Sequence, residues 1–402
     1  MARFVQYGEI MDNDCDVLYM GFVTGEGGDA LQMLDLASGV AARGARVRIV
    51  VPHVPTTEGF AERCRERGLP VVRSPWLRVD LSGPRQSLIE MIRLFSTYRA
   101  PLVHIHTGND CLPRLAIMAM SLLRYPRVIV TCQSPYATLQ VGGRRAAFWA
   151  GAVRRRVHRV VAPSRHGRAT QIAYGVPGDQ VVTIHNGIDT KRYGSGDARA
   201  ARAFLDVSDD ARLVVFTSRL ERQKRPVEAV QAFARVADAF PDALLVFVGT
   251  GVREPAVRQE MDRLGLGSRV RLVGYQTNVP DWLAAATVWI LPTETENFSL
   301  AVLEAMAAGC PIVSTLCPGN DEVLRDGVNS IALPVGDVDG MAEGLRRLLG
   351  DPELRGRLGA AARAEAQSYS VDAVVDQYVE LYREVGSLQF VRSAASTIAG
   401  SV

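Results

Sequence analysis

The stretch TVWILPTETENFSLAVLEAMAAGCPIVST, residues 287–315, contains the pattern that decides the fold. It opens with a continuous apolar run, TVWILP, which is typical of a strand buried on both faces, and it closes with a second such run, PIVST. Between them a helix is predicted from Leu300, with Ser299 as its N-cap and Gly309 at its end. Strand, helix and strand in this order predict a parallel α/β sheet.

The same alternation of apolar runs and helical patterns extends along the chain in two sets, separated by a turn-rich stretch at 186–201 that we interpret as a linker. We therefore predict two tandem Rossmann-like, doubly wound parallel-sheet domains, with a ligand site in the cleft between them. The predicted strands are 17–22, 46–52, 70–75, 102–107, 127–132, 159–164 and 181–186 in the first set, and 211–218, 243–249, 269–274, 287–292, 311–315 and 330–335 in the second.

The length, charge and cysteine spacing of the chain argue against a single-domain, nucleic-acid-binding, membrane-spanning or cysteine-ligated metal protein. A chain of 402 residues exceeds one ordinary core, and a net charge of +3 is too small to indicate a nucleic-acid partner. The first fifteen residues are polar and no apolar run reaches membrane-spanning length, so we expect a cytoplasmic protein. The cysteines show no metal-like spacing and are expected to be free thiols: Cys15, Cys64, Cys111, Cys132, Cys310 and Cys317.

Two carboxylates stand out in the opening stretch. The helical spacing places Glu304 on one apolar stripe with Leu300, Leu303 and Ala307, and a buried carboxylate is tolerated only with a hydrogen-bond partner. Glu296 precedes the helix in the loop, where it is either a ligand-binding group or an exposed loop acid. A ligand with paired hydroxyls would supply partners for both.

Two cations follow the first strand of the second set. Arg219 and Lys224 lie in FTSRLERQKRP, on the connection to the next helix, and Lys224 is one of two lysines in the chain. Cations at the carboxyl end of a parallel strand suit a phosphate or diphosphate, although a solvated basic turn is the alternative. The next strand ends at Gly249, which allows close approach of a ligand or simply makes a turn.

The first strand of the chain is followed by a glycine-rich turn, which includes Gly27 and Gly28. The sequence formally matches a dinucleotide fingerprint, but the next strand ends in His53 without the acid that would hold a ribose, so nicotinamide and flavin are disfavoured. Backbone N–H groups offered to an anion remain the interpretation. The following helix is predicted over 29–44, with Asp29 as its cap.

The run LVHIHT directs His104 and His106 to one face of a strand, and His106 is nearer the strand end. His106 is therefore the candidate for a binding site, and a hydrogen-bonded structural histidine is the alternative. Because no further His, Asp or Glu clusters with them, no metal site is predicted.

Several of these motifs together resemble one known family. ENFSLAVLEAMAAGCPIVS (296–314) resembles the E-x7-E signature of retaining, family-four (group 1) glycosyltransferases, which have the two-Rossmann GT-B fold. SRLERQK (218–224) resembles the family's Arg/Lys phosphate pair, and HNGID (185–189) its interdomain turn. The similarity extends over about residues 17–385, but ENFS stands where the family often has EGFG.

The resemblance implies a role for each matching position. Glu304 would accept hydrogen bonds from a ribose, Glu296 would bind the donor sugar, and Arg219 and Lys224 would neutralise the diphosphate. Gln133 stands where many members have a histidine, and with His106 it is assigned to the acceptor. The remaining donor-binding positions are Gly27, Gly28, Gly249, Gly274, Tyr275, Asn297, Phe298, Ser299 and Leu300.

The resemblance also implies domain roles and a reaction. Residues 1–190 would bind the acceptor, 191–370 the nucleotide sugar, and 371–388 would form a helix crossing back, followed by a tail at 389–402. The expected enzyme is a retaining hexosyltransferase that needs no cofactor or metal, takes a nucleotide-diphosphate sugar (a UDP-sugar is favoured) and transfers to a small-molecule hydroxyl.

Other functions remain open from the sequence. The same architecture hosts nucleotide-sugar epimerases, and a non-catalytic binding module is a third interpretation, disfavoured by the intact charged pairs. RRAAFWAGAVRRRVHR (144–159) would permit peripheral contact with a membrane and a lipid acceptor, but an Arg-rich surface helix is the favoured interpretation.

Overall fold

The computed structural model describes residues 15–22, 27–77, 87–107, 114–133 and 155–386. The chain divides into two compact units. The first contains the described residues up to Ala162, then Arg168–Ile184 and the described residues from Val375 onward; the second contains Pro163–Gly167 and His185–Val374. Cys111, the predicted tail at 389–402 and most of the Arg-rich segment at 144–159 lie outside the described residues.

The first unit is built on a parallel sheet of seven strands in the order β3-β2-β1-β4-β5-β6-β7. Continuous apolar burial on both faces explains why the strands read as unbroken hydrophobic runs. All seven predicted strands are confirmed, within one to three residues at their ends. Their bounds are β1 Val17–Phe22, β2 Val47–Pro52, β3 Val71–Ser74, β4 Leu102–Thr107, β5 Arg127–Cys132, β6 Arg159–Ala162 and β7 Val181–Thr183.

Helices connect these strands. The third has a complete capping box, in which the Ser87 side chain accepts from the Glu90 N–H and the Glu90 side chain accepts from the Ser87 N–H. The bounds of the helices are α1 Gly28–Ala42, α2 Glu58–Glu66, α3 Leu88–Thr97, α4 Arg114–Leu122 and α5 Arg165–Ala173. The predicted cap of α1 is wrong: Gly27 is the N-cap, and Asp29 lies in the first turn, where a carboxylate is favoured by the helix dipole.

The second unit repeats the plan with a six-stranded parallel sheet in the order β10-β9-β8-β11-β12-β13. Its predicted strands are also confirmed. The strand bounds are β8 Arg212–Thr217, β9 Ala243–Val248, β10 Val270–Gly274, β11 Val288–Leu291, β12 Ile312–Thr315 and β13 Ile331–Leu333. The helices are α6 Thr190–Tyr193, α7 Ala198–Leu205, α8 Pro226–Ala234, α9 Glu254–Arg263, α10 Val279–Ala285, α11 Leu300–Ala308, α12 Val338–Gly350 and α13 Pro352–Ala366, and α14 Val371–Glu384 begins here.

The stretch at 186–201, predicted as a linker, begins just after the chain enters the second unit at His185, and it contains α6 and the start of α7. The turn formers act as caps: Asp189 accepts from the Arg192 N–H, and Asp197 accepts from the Arg199 N–H. An aspartate that precedes a helix satisfies an otherwise unpaired N–H group, so a turn-rich composition and a helix start look alike in sequence.

From Val375 onward, α14 packs on the first unit. A side chain at Gly39 of α1 would meet Val375, since a Cβ there would lie 2.4 Å from Val375 Cγ2. Tyr382 of the same helix is hydrogen-bonded to Tyr19 (3.1 Å) and to His104 Nδ1 (2.6 Å). The helix is thus held to β1 and β4 by buried polar contacts as well as by apolar packing.

No helix within the described ranges combines the length and the apolar character that crossing a membrane requires.

Candidate functional site

The centre of the candidate site is an ion pair in the second unit. Lys224 ends a short 3₁₀ turn, Arg222–Lys224, that follows β8, and its Nζ donates to Glu296 Oε1. The two side chains are only 10% and 9% exposed. Glu296 is therefore not the exposed loop acid that was the alternative from the sequence. Each charge offsets the other's loss of hydration, and each keeps hydrogen-bonding capacity for a ligand.

The backbone holds this pair in place. The Gln223 carbonyl accepts hydrogen bonds from the Glu294 N–H (2.8 Å) and from Thr293 Oγ1 (3.1 Å). The loop after β11, which carries Glu296, is thereby fixed to the turn that carries Lys224. Sequence reasoning placed both residues at strand ends, but it did not predict that they contact each other.

Arg219 differs from Lys224 in its surroundings. Its side chain is exposed, and within the described part of the chain it makes no ion pair or hydrogen bond. Its loop is supported by the turn after β9, because the Leu220 N–H donates to the Thr250 carbonyl (2.9 Å). The free guanidinium is available to an anionic ligand.

Gly249 has a structural explanation in this turn. Its φ of +143° and the position of the Ser218 carbonyl, 2.2 Å from where a Cβ would lie, both require glycine. The residue therefore permits backbone-to-backbone packing beneath Arg219, and its predicted contact with the donor stays a prediction. Gly274 also has positive φ, +74°, and its carbonyl accepts from the Gly249 N–H; the next residue, Tyr275, is 63% exposed.

Glu304 has a protein partner that the sequence did not reveal. Tyr193 Oη donates to Glu304 Oε1 at 2.7 Å. Burial of the carboxyl raises the pKa of Glu304 to about 7, and the Tyr193 hydrogen bond and the charges of Arg192 and Lys224 act in the opposite direction. Once ionised, the carboxylate holds the Tyr193 hydroxyl with one oxygen and keeps the other for a second hydrogen bond, and a ligand hydroxyl bound there would in turn favour the ionised form.

The predicted core-facing stripe of α11 is only half correct. Leu303 and Ala307 are buried, but Leu300 and Glu304 are partly exposed. Val302, which lies outside the predicted stripe, is fully buried and packs in the hydrophobic core of the second unit. The helix is apolar nearly all round, so the hydrophobic pattern could not fix its rotation.

The loop before α11 is held from two directions within the second unit. Asn297 Oδ1 accepts from Ser164 Oγ at 2.8 Å, and the Phe298 carbonyl accepts from Asn186 Nδ2 at 3.2 Å. The Phe298 ring packs against His185, with ring centroids 4.5 Å apart. The Asn297 and Phe298 side chains therefore shape the loop.

Ser299 occupies the N-cap position of α11 as predicted, but its side chain makes no capping hydrogen bond. The residue is 3% exposed, and its Oγ has no hydrogen-bond partner among the described residues. Gly309 ends the helix in the left-handed conformation, with φ of +75°.

The first unit contains the predicted acceptor-binding residues. His106, at the end of β4, is 2% exposed, and neither ring nitrogen has a partner in the part of the chain that is described. Burial lowers the pKa of His106 to about 3, so its ring is neutral at ordinary pH. His104, by contrast, is bound on both sides, by Tyr382 and by Thr131.

Gln133 and the glycine turn lie in the same unit. The Gln133 N–H donates to the Thr107 carbonyl (2.9 Å), which places it beside the end of β4. Gly27 and Gly28 begin α1, where the first N–H groups of the helix have no intrahelical acceptor. The structure assigns no ligand to any of these residues, so their roles stay predictions.

The cysteines Cys15, Cys64, Cys132, Cys310 and Cys317 are free and buried, as expected. Burial raises the pKa of the Cys317 and Cys310 thiols to about 12, so neither is a reactive thiolate. Over the described ranges, no group of three or more His, Cys, Asp or Glu side chains is arranged to hold a metal ion.

Comparison with known families accounts for this arrangement. The sequence model described as "Glycosyltransferase Family 4" matches residues 27–192, and the one described as "Glycosyl transferases group 1" matches residues 197–365. The chain belongs to the family-four glycosyltransferases. The two matches meet near α6 and α7, so the candidate ion pair falls in the group 1 half.

Curated members of this family match part of the chain. N-acetyl-alpha-D-glucosaminyl L-malate synthase of Bacillus anthracis is 32% identical over 210 residues, covering 52% of this chain and 55% of that protein. D-inositol 3-phosphate glycosyltransferase of Thermobifida fusca is 31% identical over 222 residues, covering 52% and 51%. The chain spans about half the length of the curated relatives it matches.

Solved structures show the same fold. Anabaena HepE in complex with UDP-glucose has a TM-score of 0.78 at 20% identity, covering 92% of this chain and 99% of that one. Sucrose-phosphate synthase of Thermosynechococcus elongatus has a TM-score of 0.73 at 20% identity, covering 92% and 98%. The predicted GT-B class, with two parallel-sheet α/β domains, is confirmed.

Proposed function

We propose that this family-four member is a retaining, metal-independent glycosyltransferase, which moves a hexose from a UDP-sugar to a hydroxyl of a small molecule. The observation that carries the proposal is the buried Lys224–Glu296 pair, with Arg219 unpaired on the loop leading to it. Cations suit the diphosphate of a nucleotide sugar, and a carboxylate suits the hydroxyls of its sugar.

The pair can serve both parts of a donor at once. An ammonium has three N–H donors and Glu296 occupies one, so Lys224 can still donate to a phosphate. Glu296 accepts from Lys224 through Oε1, which leaves Oε2 for a sugar hydroxyl. Because each side chain orients the other, little conformational freedom is lost when the donor binds.

Glu304 supplies the nucleotide end of the proposed site. With one oxygen bound to Tyr193, it would accept a ribose hydroxyl through the other. UDP is the favoured nucleotide because HepE, which has the same fold, binds UDP-glucose in its crystal structure. The predicted contact of the base with Gly274 and Tyr275 belongs to the same proposal.

The proposed reaction exchanges one glycosidic bond for another. The bond between the anomeric carbon and the diphosphate oxygen breaks, and its electron pair stays on the diphosphate. The acceptor oxygen bonds to the anomeric carbon on the same face, and its proton passes to the departing phosphate oxygen. Lys224, Arg219 and the N-terminus of α11 would stabilise the charge that develops on the diphosphate.

A small-molecule acceptor is favoured by the relatives. The named products and substrates of the curated proteins, an L-malate conjugate and D-inositol 3-phosphate, are small polar molecules with a hydroxyl. In this chain His106 and Gln133 are the proposed acceptor contacts, and Gly27 and Gly28 of the same unit are proposed to contact the anionic donor. A lipid acceptor and an epimerase reaction are outcomes that the test below distinguishes.

The test combines binding with product analysis. Calorimetry with UDP, ADP and GDP should show specific binding of UDP, and incubation with UDP-glucose should release UDP only when an acceptor such as L-malate or D-inositol 3-phosphate is added. An α-linked product formed equally well in EDTA supports a retaining, metal-independent transfer. A β-linked product would overturn the retaining mechanism. Isomerised UDP-sugar formed without acceptor would overturn the transfer reaction, and transfer only to lipid vesicles would overturn the small-molecule acceptor.

A further inference from the structure

Glu322 is a buried carboxylate that the proposed reaction does not use. It ends the short 3₁₀ turn Asn320–Glu322 after β12, and its side chain is only 5% exposed. Its Oε1 accepts from the Arg165 N–H at 2.7 Å and the His166 N–H at 3.3 Å, and its Oε2 accepts from His185 Nε2 at 3.0 Å. All of these residues belong to the second unit. Both carboxylate oxygens are therefore engaged by the protein itself.

The His185 side chain links Glu322 to the loop before α11. Its ring packs on the Phe298 ring with centroids 4.5 Å apart, and the Tyr369 ring stands edge-on to it at 5.5 Å. Because a carboxylate only accepts hydrogen bonds, Glu322 keeps the hydrogen of the imidazole on Nε2 and sets the orientation of the ring. Phe298 thus rests on a ring that Glu322 holds.

The backbone at residues 163–167 makes a second link to the same loop. Ser164 Oγ donates to Asn297 Oδ1 at 2.8 Å and accepts from the Gly167 N–H at 2.8 Å. The two residues that follow Ser164 donate their N–H groups to Glu322. The carboxylate therefore fixes the backbone from which Ser164 reaches Asn297.

The turn that carries Glu322 also touches this loop directly. A Cβ at Gly319 would lie 2.4 Å from the Asn297 carbonyl oxygen and 2.9 Å from the Glu296 carbonyl oxygen. Gly319 has a φ of +91°, so both its conformation and this close approach require glycine. Three separate contacts with residues 296–298 are thus tied to one carboxylate.

We propose that Glu322 is a positioning residue for the transfer reaction. Lys224 holds the Glu296 carboxylate, and Glu322, acting through His185 and Ser164, holds the backbone that follows Glu296. Together they keep the free oxygen of Glu296 directed at the sugar. The inference rests on the proposed function and adds to it a residue that touches neither the donor nor the acceptor.

This role predicts that chemistry and nucleotide binding respond differently to the loss of Glu322. A group that positions a reacting sugar must hold it within about 0.5 Å, so a loosened loop slows the transfer. Within the described chain, no contact joins Glu322 to the residues proposed to bind the phosphates and the ribose. Those contacts, and with them the affinity for UDP, should survive.

The first experiment compares the full-length wild type with Glu322→Ala and with Glu353→Ala, which removes an exposed glutamate of the same unit. We measure UDP release from UDP-glucose with L-malate or D-inositol 3-phosphate as acceptor, and UDP affinity by calorimetry. In Glu322→Ala, kcat should fall about tenfold or more while the affinity for UDP changes less than about threefold. Glu353→Ala should behave like the wild type in both assays.

Glu322→Gln is the conservative variant. Its amide oxygen can accept from the two backbone N–H groups, and its NH₂ group can donate to His185 Nε2 in the other tautomer of the ring. It loses the ion pair with the Arg165 side chain, which is 75% exposed and contributes little. Glu322→Gln should therefore recover most of the kcat that Glu322→Ala loses.

Hydrogen exchange without ligand gives a readout that does not depend on activity. The Leu303 N–H bonds to the Ser299 carbonyl in the first turn of α11, and the Leu245 N–H of β9 bonds to the Arg269 carbonyl. In Glu322→Ala the Leu303 amide should exchange about tenfold faster than in the wild type, because the loop before it is loosened, and the Leu245 amide should not change.

Several results would overturn the inference. These are an unchanged kcat in Glu322→Ala, an equal loss of kcat and UDP affinity, a Glu322→Gln variant as slow as Glu322→Ala, and unchanged exchange at Leu303. A wild type that neither binds UDP nor transfers glucose would overturn the proposed function and the role of Glu322 in it. Faster exchange at Leu303 would in that case still show that Glu322 supports the loop, so the two failures are distinguishable.

Discussion

Lys224 and Glu296 are 72 positions apart in the chain, yet they form a buried ion pair between two connections of the second unit. Neither residue belongs to a regular α-helix or a strand. Their contact depends on the parallel sheet, which brings the carboxyl ends of β8 and β11 to one edge. The pair is therefore a product of the topology, and it joins the proposed phosphate contact to the proposed sugar contact.

Replacement of Lys224 by alanine should cripple turnover. The variant loses a charge-assisted contact that strengthens as charge develops on the diphosphate, worth about 2–4 kcal/mol of barrier, or roughly 30- to 1000-fold in rate. UDP release with saturating UDP-glucose and an acceptor measures kcat directly. A kcat within a factor of two or three of the wild type would contradict the role assigned to Lys224.

The same pair makes a prediction about stability. Lys224→Met leaves Glu296 buried without its counter-charge, which should cost about 3–5 kcal/mol. The double variant Lys224→Met/Glu296→Gln removes both charges and should recover much of that loss. Urea unfolding of the wild type, both single variants and the double variant measures the coupling. Additive losses in the double variant would show that the pair has no net stabilising interaction.

Arg219 should affect binding without affecting stability. Its side chain is exposed and makes no ion pair within the described chain, so Arg219→Ala should unfold like the wild type. UDP affinity should fall about tenfold or more, because a charged hydrogen bond to phosphate is lost. Arg222→Ala, which removes an exposed arginine from the same connection, is the matched control. Equal weakening by both variants would indicate a diffuse effect of positive charge.

The sequence predicted the sheets better than the contacts between loops. Parallel strands buried on both faces form unbroken apolar runs, so the strand positions and the GT-B class could be predicted. Apolar periodicity fails where a helix is hydrophobic all round, and for that reason the rotation of α11 was predicted only in part: the Glu304 carboxyl is buried, but the residue as a whole is partly exposed. The N-cap of α1 shifted from Asp29 to Gly27 because an aspartate is favourable at either place.

Contacts made by tertiary structure could not be predicted in this way. Tyr193 is 111 positions from Glu304, and in the sequence it is only the last residue of a turn-rich stretch. The burial of Glu296 and its contact with Lys224 depend on how two loops approach at the edge of a sheet. Spacing within one segment holds no information on such an approach, although it correctly singled out Glu304 as a carboxylate that needs a partner.

Glu304 should make nucleotide binding depend on pH. The pKa of its carboxyl is raised to about 7, chiefly by burial, and ribose hydroxyls prefer the ionised form as an acceptor. UDP affinity should therefore rise as the pH increases through about 7 and then level off. Calorimetry from pH 6 to pH 8.5 tests this, and Glu304→Gln should bind more weakly at high pH with little pH dependence. An unchanged profile in that variant would contradict the ribose contact.

Tyr193→Phe provides an independent check on the same carboxyl. The Tyr193 hydroxyl stabilises the ionised form, so its removal should move the midpoint of the binding profile to higher pH.

The raised pKa of Glu304 also affects the stability of the protein without ligand. Between about pH 4.5 and pH 7, Glu304 holds a proton in the folded chain that it has released in the unfolded chain. The contribution of Glu304 to the free energy of unfolding therefore falls as the pH rises through this range. Glu304→Gln should remove this pH dependence.

His106 and His104 should make the first unit sensitive to acid. Burial lowers the pKa of His106 to about 3. The pKa of His104 is lowered well below its usual value, mainly by burial and to a smaller extent by the charge of His106. Once unfolded, both take up protons below about pH 6.5, so the stability falls as the pH drops from 6.5 towards 3. Each histidine contributes up to about 1.4 kcal/mol per pH unit.

Urea unfolding at pH 7, 6 and 5 tests this in His106→Asn, which keeps a polar side chain but does not titrate. The fall in stability between pH 6.5 and pH 5 should be smaller than in the wild type by up to about 2 kcal/mol. His53→Asn, the same substitution at an exposed histidine of the first unit, is the matched control. An equal pH dependence in His106→Asn and His53→Asn would contradict this prediction. It would show that His106 takes up a proton as readily in the folded chain as in the unfolded one. Its ring would then not be held in the dry environment beside Tyr19 and His104.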